Sequence, residues 1–357
     1  MPVYKKIASD LRGKIKEGIF NPGDRLSTEN EMSNNYNVSR ITLKKALTIL
    51  CREGLICQIP GRGSFVCDEK EAFERREAEN RKCNPNKNSK IVAILVPTIS
   101  ESLYPEIVRG VEDICHANEC QLILGNYDTD SAKEGKYIQD FIKTGVCGMV
   151  LAPSYNSSQN EAYKILNERR VPYVLVDASI KGLESDLVAT DNLEGAYQGT
   201  KYLIEKGCKR IAFVCGWLSA SSSQERWFGY KKALLEVGIT EDQNLFREGA
   251  YSDEFGYGAG KQILGSNADG VLCANEPIAN GLFRAVAESG NSSLQIASFD
   301  TPFLPANLKN AVLLLGQQKY EIGRAAAELL FQRMSGGYLP FRKILVEPQK
   351  ILKASGK

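Results

Sequence analysis

The chain has 357 residues, 43% of them hydrophobic and 25% charged, with a formal net charge of +2 at neutral pH. One core rarely grows beyond roughly 250 to 300 residues, so two or three domains are expected. No run approaches the roughly 18 apolar residues of a membrane span, and the first residues carry charge every few positions where a signal peptide has an apolar core; both predict a cytoplasmic protein without membrane partners.

Ten cysteines are scattered without a CxxC pair, and His116 is the single histidine, so no metal centre is expected and the thiols read as free groups in a reducing compartment. Charge is unevenly spread. Between Met1 and Cys67 eleven bases stand against six acids, a local +5 that leaves the rest of the chain net acidic.

In that basic segment Tyr4, Ile7, Leu11 and Ile15 recur at helical spacing and predict a first amphipathic helix, ended by the Pro-Gly of "FNPGDRL". Thr28 and Glu31 in "STENEM" have the spacing of a capping box and start a short second helix. A third helix runs from near Ser39 to between Arg52 and Gly54. Leu43, Ala46, Leu47 and Leu50 share one of its faces, while Arg40, Thr42, Lys44 and Lys45 occupy the other without an acid. "GLICQIPGRGSFVC" then reads as two short strands, about Leu55 to Ile59 and Ser64 to Cys67, joined by a Pro-Gly-Arg-Gly tip. Three helices and a two-stranded wing make residues 1–67 a winged helix-turn-helix.

A basic helix face without acids needs an anion, and double-stranded DNA supplies it. The second helix of a helix-turn-helix lies in the major groove and reads bases from its N-terminal half, where Arg40, Ile41, Thr42 and Lys44 sit. Ser39 and the helix N-terminus can hold a phosphate, Arg40 or Lys44 can donate to guanine, and Ile41 can meet a thymine methyl. Arg62, between Gly61 and Gly63, is placed to enter the minor groove or grip the backbone. At "YKKIASDLRGKIKEGIFNPGDRLSTENEMSNNYNVSRITLKKAL" and "EGLICQIPGRGSFV" the chain resembles the GntR family of bacterial transcription regulators. That resemblance implies DNA contacts at Arg25, Ser39, Arg40, Thr42, Lys44 and Gly61 to Gly63, and Thr28 at the start of the second helix is counted with them. Asn30 and Lys44-Lys45 depart from the family pattern, which leaves the operator sequence open.

Residues 68–90, "DEKEAFERREAENRKCNPNKNSK", are dense in charge and broken by Asn-Pro-Asn, and read as a linker. Beyond it, "KIVAILVPT", "QLILGNYD", "GMVLAPS", "PYVLVDAS", "RIAFVCGW", "DGVLCANE", "LQIASFD" and "AVLLLGQ" are short apolar runs fit for buried parallel strands, with helices such as Pro105 to Asn118 and Asn192 to Lys206 between them. The expected class is α/β: residues 91–357 form a two-lobed, doubly wound parallel-sheet domain that binds an effector and dimerises.

Ligands of such sheets bind beyond the C-terminal strand ends, which here carry Ser102, Tyr104, Asp128, Ser154, Tyr155, Asp177, Trp217, Asn275, Asp300 and Gln317. Carboxylates, amides and hydroxyls among aromatics suit a sugar, whose hydroxyls want polar partners and whose C–H faces stack on rings. "QERWF" with "GYKKALLEVGI", "LCANEPIANGLFRAV", "IASFDT" and "GQQKYEIGRAAAELL" are similar to the effector domain of the LacI/GalR family. That resemblance implies ligand contacts at Arg226, Tyr251, Asn275, Asp300, Gln317 and Asp177. "SFDT" and "GWLSASSS" depart from the pattern.

A GntR-like reader on a LacI-like sensor is the arrangement of the AraR-type arabinose repressors, and it implies a homodimeric repressor released from operator DNA by a sugar such as arabinose, with no cofactor. A sugar-binding transport receptor, or a regulator sensing a nucleobase, are the alternatives. An enzyme is not expected, because no GxGxxG follows the first strand and neither a P-loop nor a nucleophile elbow is present.

Overall fold

The computed structural model describes residues 3–21, 23–52, 55–59, 63–66, 91–157, 160–290, 293–300, 304, 311–336 and 340–353. The chain divides into two compact units, Met1–Lys87 and Asn88–Lys357. The expected linker, and Gly61 and Arg62 at the wing tip, lie outside the described residues.

In the first unit α1 (Val3–Lys16), α2 (Glu29–Asn35) and α3 (Arg40–Arg52) precede β1 (Ile56–Ile59) and β2 (Gly63–Val66). The two strands pair antiparallel, and a bridge from Arg25 to Phe65 adds a third segment to the wing. The capping box forms: Thr28 Oγ1 accepts from the Glu31 amide, and Glu31 Oε2 accepts from the Thr28 amide at 2.8 Å. Ile7, Leu11, Leu26, Met32, Leu43, Leu47, Leu50, Ile56 and Val66 build the core, so the apolar stripe of α3 faces inward as its spacing predicts.

The second unit has two lobes. In the first, β3 (Ile91–Val96), α4 (Leu103–Ala117), β4 (Gln121–Asn126), α5 (Ser131–Thr144), β5 (Gly148–Leu151), α6 (Ala162–Arg169), β6 (Tyr173–Val176) and β7 (Asp186–Thr190) run consecutively. The second contains α7 (Asn192–Glu205), β8 (Ile211–Gly216), α8 (Ser221–Glu236), β9 (Phe246–Gly249), α9 (Asp253–Leu264), β10 (Gly270–Cys273), α10 (Glu276–Ser289), β11 (Gln295–Phe299) and β12 (Val312–Gly316). The chain then returns to the first lobe as α11 (Lys319–Met334) and β13 (Lys343–Val346), and to the second as β14 (Gln349–Lys353).

Each lobe is one six-stranded sheet, in the orders β13-β7-β6-β5-β3-β4 and β14-β12-β11-β10-β8-β9. All neighbours pair parallel except β12 and β14. The first sheet is covered on one face by α4 and α11 and on the other by α5 and α6; α9 with α10, and α7 with α8, cover the second. Gly110 and Gly323 let α4 and α11 touch backbone to backbone: a Cβ on Gly323 would stand 2.1 Å from the Ile107 carbonyl oxygen. No helix among the described residues is long and apolar enough to cross a membrane.

Candidate functional site

A cavity of about 530 Å³ opens at the C-terminal strand ends and is lined from both lobes. The first lobe contributes the segment after β3, including Glu101, Ser102 and Tyr104, with Ser154 and Tyr155 after β5 and Asp177 after β6. Trp217, Arg226, Tyr251, Asn275, Glu276 and Asp300 come from the second. This placement follows from parallel winding, which sends every strand-to-helix turn to one edge of its sheet.

Asp177 and Asp300 end β6 and β11 with left-handed backbones, φ 70° and 63°. Aspartate tolerates that conformation better than most residues, and it turns both carboxylates into the cavity where an ordinary strand exit would carry them past it. Asp177 Oδ2 accepts from the Tyr104 hydroxyl at 3.0 Å. Burial raises the Asp177 pKa, while Arg226 and the Tyr104 hydrogen bond oppose the rise.

Arg226 is 5% exposed and held on every side. Its Nε donates to Asn192 Oδ1 at 2.8 Å, one terminal nitrogen to the Ala274 carbonyl and the other to Gln317 Oε1 at 3.3 Å, and the guanidinium lies 4.0 Å over the Phe299 ring. Gln317 in turn donates from Nε2 to Asp300 Oδ2 at 2.7 Å and accepts at Oε1 from Thr190 at 2.7 Å. Asp300 Oδ1 has no hydrogen-bond donor among the described residues; Lys319 Nζ sits 3.3 Å away as an ion pair without hydrogen-bond alignment. That oxygen therefore keeps an open acceptor beside the cavity.

Tyr251 stands with its hydroxyl 2.8 Å from Ser223 Oγ, and its ring lies against Gly216, where a Cβ would come within 2.1 Å. Asn275 caps α10, accepting from the Ile278 amide at 3.1 Å. Across the cleft, Ser102 donates to the Glu276 carboxylate and joins the lobes, while Ser102 Oγ accepts from Lys319 Nζ of its own lobe at 2.7 Å. The Ser179 amide donates to Ser221 Oγ at 2.8 Å and adds a second tie.

Of the sequence-derived candidates, Tyr104, Asp177, Arg226, Tyr251, Asn275 and Asp300 thus surround one cavity. Gln317 lies behind its wall, as a brace between Arg226 and Asp300. Asp128 is outside the lining: it too has a left-handed backbone, φ 53°, but its carboxylate pairs with Lys133 and accepts from Asn126 Nδ2 at 2.9 Å. Sequence spacing gives no reason to single out Glu101, which lines the cavity, or Lys319, a helix-start lysine that reads as a solvated charge yet is only 6% exposed.

In the first unit Arg25, Thr28, Ser39, Arg40 and Lys44 are exposed, and Thr42 is half-buried. Ser39 Oγ accepts from the Thr42 amide at 3.3 Å and so caps α3, to which Ile41 also belongs. Gly63 begins β2. These surfaces meet the first requirement of a DNA reader, exposed donors around a capped recognition helix.

Comparison with known proteins assigns the two units separately. The family described as periplasmic binding protein domain matches residues 92–338, and that described as bacterial regulatory proteins, gntR family, matches residues 3–66. The transcriptional regulator RegA of Clostridium saccharobutylicum is 31% identical over 271 residues, 74% of this chain and 79% of that protein. The arabinose metabolism transcriptional repressor of Halalkalibacterium halodurans is 25% identical over 376 aligned positions, 99% of this chain and 96% of that one. Among solved structures, the transcription regulator CcpA of Lactococcus lactis superposes with a TM-score of 0.67 at 30% identity, over 75% of this chain and 99% of that one.

Proposed function

The chain belongs to the periplasmic-binding-protein domain family and joins that domain to a gntR-type DNA-binding module, and from this membership we propose a repressor of carbohydrate-utilisation genes that a sugar releases from operator DNA. The observation that carries the effector half is the pair Asp177 and Asp300, turned from opposite lobes into one cavity beside a fully braced Arg226. Carboxylates of this kind accept from vicinal hydroxyls, and the neighbouring Tyr251 and Trp217 rings offer apolar faces to sugar C–H groups. Arabinose is the first candidate, because a relative aligned over nearly the whole chain is an arabinose metabolism repressor.

The mechanism follows from the two-lobed site. A sugar touching both walls stabilises the conformation in which both are within reach, and it shifts the protein only as far as it binds that conformation better. In a homodimer, a change in lobe geometry alters the spacing of two reading heads and so the fit to a two-fold operator. Regulation of this kind operates in the cytoplasm and calls for no catalytic residue.

The test is a thermal melt of the purified chain against pentoses, hexoses and nucleobases, followed by fluorescence anisotropy on operator DNA. A ligand at about a hundred times its dissociation constant adds roughly 2.7 kcal/mol. The expected result is one sugar that both raises the melting temperature and releases DNA. A nucleobase giving both effects would replace the sugar reading.

A further inference from the structure

The charges around the cavity are unbalanced in a way that a sugar-binding role alone does not require. Glu101, Asp177, Asp253, Glu276 and Asp300 line it, following β3, β6, β9, β10 and β11. Among the described residues the cations that reach this cluster are Arg226 and Lys319, and both are already engaged. Arg226 donates to Asn192, Ala274 and Gln317. Lys319 donates to Ser102 and lies 3.3 Å from Asp300 and 3.9 Å from Glu276. No hydrogen bond from a described residue reaches the Glu101 carboxylate, which lines the cavity with the other four acids.

Building on the sugar reading above, we propose that the cavity is a charge filter that admits the un-ionised sugar and turns away its phosphate esters and acids, with Glu101 as a specificity-determining residue. A phosphate or carboxylate in this space would meet carboxylates at short range in a partly dry site, where Coulomb repulsion is far stronger than in bulk water, and would find no free cation among the described residues. A hydroxyl meets the same carboxylates as acceptors. The sensor then reports a sugar that has entered the cell but has not been phosphorylated by a kinase or oxidised to an acid.

Glu101 also gives the filter a pH dependence. Burial, and then the charges of Asp177, Glu276 and Asp300, push its pKa up to about 7. Tyr104 on α4 faces the same space as a neutral phenol, its own pKa raised by burial. Below about pH 7 Glu101 is largely uncharged and repels nothing; above it the full charge acts.

Calorimetry on the full chain decides, using L-arabinose, D-xylose, D-glucose and D-galactose against their phosphate esters and their aldonic or uronic acids. At pH 8 the neutral parent of whichever sugar binds is expected to be at least roughly 100-fold tighter than its ionised forms. In Glu101→Gln that gap narrows by about tenfold for the acid, whose charge is constant from pH 6 to 8, and it narrows at pH 8 but not at pH 6. An ionised form that binds as tightly as its parent overturns the filter and leaves the sugar reading standing. A gap unchanged in Glu101→Gln at both pH values overturns the role of Glu101. Silence from every compound overturns the filter together with the sugar reading.

Discussion

Gln317 and Asp300 are joined by a 2.7 Å hydrogen bond from Nε2 to Oδ2, and the same amide accepts from Arg226 and Thr190 at its other end. One neutral side chain thereby fixes the orientation of the cleft's most buried acid and of its guanidinium. The site is pre-organised before any effector arrives, which limits the ordering entropy that binding must overcome.

Arg226→Ala removes the centre of this brace. Hydrogen bonds to charged groups contribute about 1.5 to 3 kcal/mol each, so effector affinity is expected to fall by roughly 10- to 100-fold with at least a comparable loss in folding stability. Calorimetry and urea melts separate the two, while DNA binding without effector stays intact. Full effector sensitivity in the variant would remove Arg226 from the site.

Glu101 makes stability depend on pH in a stated direction. In the folded protein its carboxyl titrates at about 7, well above its ordinary 4.5, so between those values the folded state holds a proton that the unfolded chain has released. Stability contributed by this group therefore declines as pH rises through that window and is level above it. Because the side chain is partly open to solvent, the loss is about 1 to 2 kcal/mol. Urea melts of the wild type and Glu101→Gln should coincide near pH 5 and diverge toward pH 8, with the variant the more stable.

Gly216→Ala places a methyl group where the Tyr251 ring now lies, within 2.1 Å of its carbon atoms. The ring must swing away from the cavity wall, so effector binding is expected to weaken by at least about tenfold with a destabilisation of roughly 1 to 3 kcal/mol. Pairing the change with Tyr251→Ala should restore most of the stability and none of the binding. Unchanged affinity in Gly216→Ala would show that Tyr251 contributes nothing to the ligand.

For the reader unit, replacing Arg40 and Lys44 by alanine should weaken operator binding and flatten its salt dependence. Every phosphate that the variant no longer neutralises lowers the slope of log affinity against log salt by about 0.9, and removal of base readout adds a sequence-dependent fall of about 1 to 3 kcal/mol. Anisotropy titrations at several salt concentrations on operator and random duplexes measure both. Equal affinity before and after would relocate the recognition surface.

Most of the sequence runs that announced strands, β3, β5, β6, β8 and β10 to β12, are interior strands covered on both faces, where a short stretch is mostly apolar, while β4 showed through its Leu-Ile-Leu run although it lies at a sheet edge. β7 escaped because it opens with Asp186, buried at 1% exposure and tolerated because Arg333, far away in α11, pairs with it at 2.5 Å and the Arg342 amide donates to it at 2.8 Å. β13 and β14 lie at sheet edges, where half the side chains meet solvent, and β9 carries Arg247 and Glu248 on another edge. The site shows the same division. Strand-end acids are visible once the fold class is known, but Asp128 and Asp177 look alike in sequence and differ because Lys133 takes the first and nothing comparable takes the second. Glu101 and Lys319 gain their roles from neighbours that the other lobe supplies.

The return of the chain to the first lobe also sets the order in which the protein can be made. Ile322, Ala326, Ala327 and Leu330 of α11 complete the core beneath β3, β5 and β6, and Tyr320 Oη donates to Asp113 across 207 positions of sequence. A nascent chain on the ribosome holds the reader's whole core within its first 66 residues. The first lobe, in contrast, has only α4 on one apolar sheet face until α11, beyond β12 of the second lobe, has been translated. Its docking is a long-range, late event of the kind that folds slowly and exposes aggregation-prone surface meanwhile. The lobe that the ribosome starts first thus waits for α11 and β13, which follow β12 of the second lobe in the chain, and the effector cleft is complete only after that step.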